Sequence, residues 1–268
     1  MDFEELVRAL AGGHIASPRL EAGMMMQAAA DAAPSEQKRL LEEMLEKRLA
    51  HYPLDKILGR RAFYKYDFEV SEDVLSPRPD TETLVEAAID LTRKNDFSSV
   101  LDLGTGSGCI LLSILGDCPQ MRGVGVDKSR PALETAACNA RRLKLEDRAA
   151  FRCLSWFDDN FVSELGTGFD LLVSNPPYIP SGDIPGLDDE VRKHDPLLAL
   201  DGGTDGLEHY KKIAETAPLI LKEGGYILLE AGIGQAADIR QIFSEGGLSP
   251  VSVLKDLAGI ERCVILKK

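Results

Sequence analysis

The sequence predicts an α/β fold: a doubly wound, mostly parallel sheet of seven strands with the last strand antiparallel, preceded by a small helical N-terminal domain. Three observations carry this expectation. From Ser99 onward, short apolar runs alternate with helical stretches, the pattern of repeated βαβ units. Before residue 60 the apolar positions recur at helical spacing instead. The last two strand-like runs, Val251–Leu254 and Cys263–Leu266, are joined only by Lys255 to Arg262, too short for a crossover helix, so they pair antiparallel. With 268 residues the chain is long enough to bury a sizeable core without disulfide or metal staples.

Residues 1–60 form the predicted helical domain. Leu41, Leu45 and Leu49, flanked by Leu40 and Met44, lie at helical spacing with Glu and Lys between them, and Ser35 is placed to cap that helix. The Ala/Met stretch from Met24 to Ala33 reads as the packed side of a small bundle. Near Gly59 the period changes to two: Tyr64, Tyr66, Phe68 and Val70 alternate with Lys65, Asp67 and Glu69, a half-buried strand within a β linker over 61–79. Pro77 and Pro79 break the chain, and Asp80 or Thr81 is expected to cap a helix carrying Leu84, Val85, Ala88 and Leu91, which opens the third region, 80–268. There Val100–Leu103 is a strand that runs into Gly104-Thr105-Gly106-Ser107-Gly108, followed by a helix with Ile110, Leu111, Ile114 and Leu115. A second strand ends at Val124-Gly125-Val126-Asp127, and Ser129 with Pro131 starts the next helix. Ala150–Leu154, Phe169–Ser174 and Tyr226–Glu230 supply further strands. Ligands of such sheets sit beyond the carboxyl ends of the strands.

Charge and composition narrow the function. A net charge of −13 disfavours a bulk nucleic-acid binder, because phosphate binding rests on Lys and Arg. The acidic start Met1-Asp2-Phe3-Glu4-Glu5 lacks the order of a signal peptide, and no run reaches the ~18 apolar residues of a membrane span. Cys109, Cys118, Cys138, Cys153 and Cys263 are odd in number and contain no C-x-x-C pair, so neither a disulfide framework nor a zinc site is expected and a reducing cytoplasm is the default. His14, His51, His194 and His209 have no ligand spacing, and no metal is expected.

Three features carry chemistry. The glycines at 104, 106 and 108 follow a strand, where their backbone can turn sharply and approach a ligand. A dinucleotide fingerprint needs its third glycine at 109, which is Cys109, so a pyrophosphate cofactor is disfavoured. Asp127 ends the next strand, nineteen residues after Gly108, where a carboxylate either accepts from two ribose hydroxyls or merely caps the following helix; the neighbouring glycine loop favours the ribose. Asn175-Pro176-Pro177-Tyr178 follows an apolar strand onto the same sheet edge. The prolines fix φ and hold their predecessors extended, so the Asn175 side-chain carbonyl and the Pro176 backbone carbonyl form two acceptors at fixed separation. Such a pair suits a planar –NH2 group with two N–H bonds, and Tyr178 offers a flat face against it.

Together with Pro77-Arg78-Pro79-Asp80-Thr81-Glu82-Thr83-Leu84-Val85, these motifs resemble class I S-adenosylmethionine-dependent methyltransferases acting on nitrogen, and most closely the release-factor glutamine methyltransferases of the PrmC/HemK family. The resemblance spans nearly the whole chain. It includes Pro53 to Gly59, Asp102 to Gly108, Ser155-Trp156-Phe157, Asn175 to Ile179, and Pro196 to Gly203 with its Asp201-Gly202-Gly203. It implies a Rossmann-like methyltransferase sheet, S-adenosyl-L-methionine as cofactor, and class-1 peptide chain release factors as protein substrate in translation termination, methylated on the Gly-Gly-Gln glutamine. Neither a membrane nor stable nucleic-acid binding is implied. Gly104, Thr105, Gly106, Ser107 and Gly108 would line the cofactor, Asp127 would hold its ribose, and Trp156 would lie near its adenine unless it is simply a core residue. Asn175 would touch both cofactor and substrate. Asn175, Pro176, Pro177 and Tyr178 would bind the target amide, with Asn175, Pro176 and Tyr178 catalytic. Arg78 and Glu82 would lie near the methionine end. Two positions depart from the family pattern: Asp195, where Glu is common, and Ser76, where an aliphatic is usual.

The loop from Ile179 to His209 holds eight acidic residues with only Arg192 and Lys193 as bases. Its Asp188-Asp189-Glu190 run is expected either to be a solvated rim or to attract a basic protein segment.

Overall fold

Asp2 and Glu5, three residues apart, start the first helix. In the computed structural model, which describes residues 1–268, each side chain accepts from the other's backbone N–H, a capping box that opens α1 (Phe3–Gly12). Proline stands at the start of α2 (Pro18–Ala29) and α3 (Pro34–Leu49), where its missing N–H would be unpaired anyway. The expected Ser35 cap is therefore corrected: Ala33 holds the cap position and Pro34 sets the start of α3. Met25 from the methionine run is buried with Leu6, Leu10, Ala22 and Leu41 in one apolar cluster. The short α4 (Leu54–Leu58) ends at Gly59, which takes the left-handed conformation (φ 67°). These helices, Met1–Arg60, form one compact unit together with residues 188–194; the other unit comprises Arg61–Leu187 and Asp195–Lys268.

A hairpin replaces the single strand expected over Tyr64–Val70. β1 (Arg60–Phe63) and β2 (Tyr66–Glu69) form a two-stranded sheet, and the chain reverses at Tyr64-Lys65 with Tyr64 at φ 55°. Glu82 accepts the Tyr64 N–H at 2.9 Å and Asp117 accepts its hydroxyl at 3.1 Å, which holds this unfavourable turn. Phe63 and Phe68 project into the main core, so the hairpin is part of the sheet unit's packing. A 3-10 turn over Pro79–Thr81 leads into α5 (Glu82–Asn95) without a side-chain cap. Asp80 pairs with Arg262 at 3.3 Å and the Thr81 hydroxyl turns to Glu230, so neither caps as expected.

Thereafter strand and helix alternate: β3 (Ser99–Leu103), α6 (Cys109–Asp117), β4 (Arg122–Asp127), α7 (Arg130–Arg142), β5 (Ala149–Cys153), α8 (Phe161–Leu165), β6 (Phe169–Ser174), α9 (Asp189–His194), α10 (Glu208–Ile220), β7 (Leu221–Glu230), α11 (Ala236–Glu245), β8 (Ser249–Lys255) and β9 (Glu261–Lys267). The seven-stranded sheet has the order β5-β4-β3-β6-β7-β9-β8. Only β9 runs antiparallel to its neighbours, pairing Cys263 with Glu230 on one side and Leu254 on the other. Alternate residues serve opposite faces. Val100, Val173 and Ile265 pack under α5, α6 and the hairpin, while Leu101, Leu172 and Val264 pack under α8, α10 and α11. Strand order reverses between β3 and β6, where doubly wound sheets open a crevice at the carboxyl ends. Leu103 pairs there with Val126 on one side and Ser174 on the other. No helix is long and apolar enough to cross a membrane.

The acidic loop is less exposed as charge than its composition implies. Asp189 pairs with Arg192 at 2.5 Å and Lys193 at 2.7 Å, and these partners, Lys193 first, hold its carboxyl down at about 2. Glu190 meets Arg48 at 2.7 Å. Two of the three carboxylates expected to attract a basic segment are thus already paired.

Candidate active site

The glycine loop is stitched to β4 from below. Gly104 and Thr105 donate their N–H groups to the Val126 carbonyl at 2.8 and 3.0 Å, and the Thr105 hydroxyl donates to Asp102 at 2.7 Å. Gly104, Gly106 and Gly108 all have positive φ (75°, 52° and 80°), a backbone that strongly favours glycine. The third glycine also serves packing: a Cβ on Gly108 would stand 3.3 Å from the Ala136 Cβ on α7. Asp127 binds the loop from the side, its Oδ2 accepting from Gly106 N–H at 3.0 Å and its Oδ1 from Ser129 N–H at 2.8 Å, while Ser129 itself caps α7. Burial raises the Asp127 carboxyl above its ordinary value, opposed by those N–H bonds.

Asp102, beneath the loop and fully buried, has its carboxyl pushed up to about 7, mainly by desolvation. A folded-state value above the unfolded one, about 4, means that the folded protein binds this proton more tightly. The stability contributed by Asp102 is therefore complete in acid and lost as pH rises through about 7. Asp102→Asn is expected to flatten this dependence: its melting temperature falls less between about pH 5 and pH 8 than that of the unaltered protein. Parallel melting curves for the two proteins over that interval would contradict the assignment.

A cleft opens above the loop. Gly104, Thr105, Gly106, Ser107, Asp127, Trp156, Asn175 and Pro177 all line it. Gly108, Pro176 and Tyr178 do not contribute to its walls. Tyr178 is set back, its hydroxyl 3.4 Å from Glu230 Oε1, and burial raises its pKa. Trp156, 7% exposed, belongs to the core and to the cleft at once: it packs against the apolar face under α10 and presents its ring beside Gly104. Arg78 lines the cleft and pairs with buried Asp195 at 2.7 Å; Glu82 does not line it and is engaged by the hairpin turn.

Several lining residues went unassigned in the sequence, His209, Phe157 and Leu198 among them. His209 sits edge-on to Trp156 and Phe157, at 5.6 and 5.2 Å between ring centres. Burial lowers its pKa, so the ring is neutral, and its Nε2 must donate to the Asp201 carbonyl 3.2 Å away. Phe157 and Leu198, both partly exposed, give the mouth apolar walls. No spacing signal singles out His209 or Leu198, which come from different loops or helix ends, whereas Phe157 adjoins Trp156 in the Ser155-Trp156-Phe157 motif.

The acceptor segment is braced by glycines. Gln235 Nε2 donates to the Tyr178 carbonyl at 3.0 Å, and Gly202 N–H to the Ile179 carbonyl at 2.8 Å, whereas the Pro176 carbonyl accepts no hydrogen bond from the chain. A Cβ on Gly202 would meet the Cα and carbonyl carbon of Tyr178 at 2.8 Å, backbone that cannot swing aside. Gly202→Ala is expected to cost about 1–3 kcal/mol of stability and to slow turnover by displacing Asn175–Tyr178. An alanine variant with unchanged melting temperature and turnover would show that the contact is slack.

Comparison with known proteins follows the same lines. A family model described as Methyltransferase small domain matches residues 80–184. The release factor glutamine methyltransferase of Rhodospirillum rubrum is 42% identical over 97% of this chain and 77% of that protein. That of Bradyrhizobium diazoefficiens is 45% identical over 92% of this chain and 82% of that protein. Among solved structures, the hMettl16 catalytic domain, in complex with the MAT2A 3′UTR hairpin 6, superposes with a TM-score of 0.58 at 13% identity, covering 85% of this chain and 81% of that one; this is a likeness of fold.

Proposed function

The chain belongs to the release factor glutamine methyltransferases, enzymes dependent on S-adenosyl-L-methionine, and on that premise we propose that it methylates the side-chain amide nitrogen of the glutamine in the Gly-Gly-Gln motif of class-1 peptide chain release factors. The observation that carries this reading is that Asn175 and the glycine loop line one cleft.

The cleft fits the cofactor. Ser107 Oγ and Trp156 Nε1 are buried there without a partner in the chain. Asp127 retains lone pairs beyond its two N–H bonds, and Gly106 leaves open space where a Cβ would stand. In this reading Gly104 to Ser107 line the cofactor, with Gly108 packing the loop onto α7, Asp127 takes the ribose hydroxyls and Trp156 lies against the adenine. S-adenosyl-L-methionine supplies, when bound, an electrophilic methyl group on a sulfonium.

The protein's own part is orientation and electrostatics. An amide nitrogen is a weak nucleophile because its lone pair is delocalised into the carbonyl. Asn175 Oδ1 and the Pro176 carbonyl accept its two hydrogens, turn the nitrogen toward the cleft and stabilise the positive character that grows on it. Tyr178, set back from the cleft with its hydroxyl on Glu230, supports the segment rather than facing the amide. The alkylated nitrogen is acidic enough to release its proton without a strong base among the lining side chains. All five cysteines are thiols, which suits a reducing compartment such as the cytoplasm.

A methyl-transfer assay with labelled cofactor tests the assignment. Label is expected on the glutamine of an intact release factor and not on DNA or RNA, in keeping with the net charge of −13. Label on nucleic acid and none on the protein would make the acceptor a base amino group instead.

A further inference from the structure

Beside Asn175 begins a buried polar chain that the proposed reaction does not itself consume, its first member, Thr81, also bordering the cleft. Glu230, the last residue of β7, is 2% exposed and both its oxygens are engaged: Oε2 accepts from the Thr81 hydroxyl at 2.5 Å and Oε1 from the Tyr178 hydroxyl at 3.4 Å. Thr81, equally buried, has the Asn175 Nδ2 at 3.3 Å from its oxygen.

The donor count decides which way the Asn175 amide faces. A hydroxyl has one hydrogen, and an ionised carboxylate can only accept. With its hydrogen committed to Glu230, the Thr81 oxygen offers only lone pairs to Asn175. It must therefore meet the NH2 end of that amide, which leaves Oδ1 for the cleft. In the opposite orientation Asn175 would present N–H bonds to a target that is itself an NH2 group, and the two sets of hydrogens would repel. We propose that Thr81 and Glu230 are positioning residues that lock the Asn175 amide with its oxygen toward the substrate, so that the site admits an NH2 donor and discriminates against a carboxylate such as glutamate. This rests on the role given to Asn175 above.

Thr81 variants test the lock. The assay is run on the alkaline side of neutrality, since burial pushes the Glu230 carboxyl up to about 7 against the Thr81 hydrogen bond and the charge of Arg262. Thr81→Val keeps the shape and removes the hydroxyl; it is expected to lower kcat for a release factor by about 10–100-fold. KM, and the cofactor Kd measured by calorimetry, stay within about threefold. Thr81→Ala, which inserts no extra methyl group, gives the same loss, and Thr81→Ser restores kcat to within about threefold of the starting protein. Because Thr81 acts through Asn175, Thr81→Val adds almost nothing in an Asn175→Ala background. Wild-type kcat in Thr81→Val, a Thr81→Ser enzyme as slow as Thr81→Val, or losses that multiply in the double variant would each overturn the proposal. If Asn175→Ala itself turns over normally, the role of Asn175 fails; if it is slow while Thr81→Val is not, only the lock fails.

Discussion

Asn175→Ala is expected to slow methyl transfer to a release factor by about 10²–10³-fold, the loss typical of removing one preorganised hydrogen-bonding group from a reacting centre. Binding of S-adenosyl-L-methionine, measured by calorimetry, should change by less than about threefold. The separation follows from geometry. The cofactor is assigned to the glycine loop, Asp127 and Trp156, all held by contacts that do not involve the Asn175 side chain. The acceptor amide depends on Asn175 for one of its two hydrogen bonds. Asn175→Asp sharpens the test: it keeps an acceptor oxygen but cannot donate to Thr81, and it too should be slow. Equal losses in turnover and cofactor affinity would contradict the role given to this residue.

Asp127→Ala is expected to produce the reverse pattern, a cofactor Kd raised by about 100-fold, equivalent to the loss of one or two charge-assisted hydrogen bonds. The carboxylate does two things at once. It fixes the Gly106 and Ser129 amides, each with one oxygen, and it has lone pairs left for ribose hydroxyls. Removing it loosens the loop as well as the ligand. Asp127→Asn, with a single acceptor oxygen, should fall between alanine and the native residue when Kd is measured by calorimetry. A cofactor affinity untouched by either change would remove Asp127 from the site.

The parts of the fold that were legible in the sequence are those fixed by local pattern. Leu171–Val173 is buried on both faces and reads as a continuous apolar run, and Val100–Leu103 is such a run broken only by buried Asp102. The glycine loop and Asn175-Pro176-Pro177-Tyr178 declare themselves because both end such strands. What was hidden depends on partners distant in sequence. Tyr64 turns a corner that normally calls for glycine or asparagine, and it does so because Glu82 and Asp117 hold it. Thr81 reads as a helix cap, yet its hydroxyl is drawn to Glu230, 149 residues later. Glu190 reads as part of a bare acidic run and instead meets Arg48, 142 residues earlier. His209 carries no motif at all; it reaches the cleft only because α10 begins beside Asp201.

The most direct test of the account is a crystal structure holding S-adenosylhomocysteine together with a glutamine-containing release-factor peptide. The expected result is the glutamine amide nitrogen within about 3.2 Å of both Asn175 Oδ1 and the Pro176 carbonyl oxygen, with the nucleoside against Asp127. A peptide whose glutamine enters the cleft but hydrogen-bonds neither oxygen, or an Asn175 amide turned with its NH2 group toward the substrate, would contradict it.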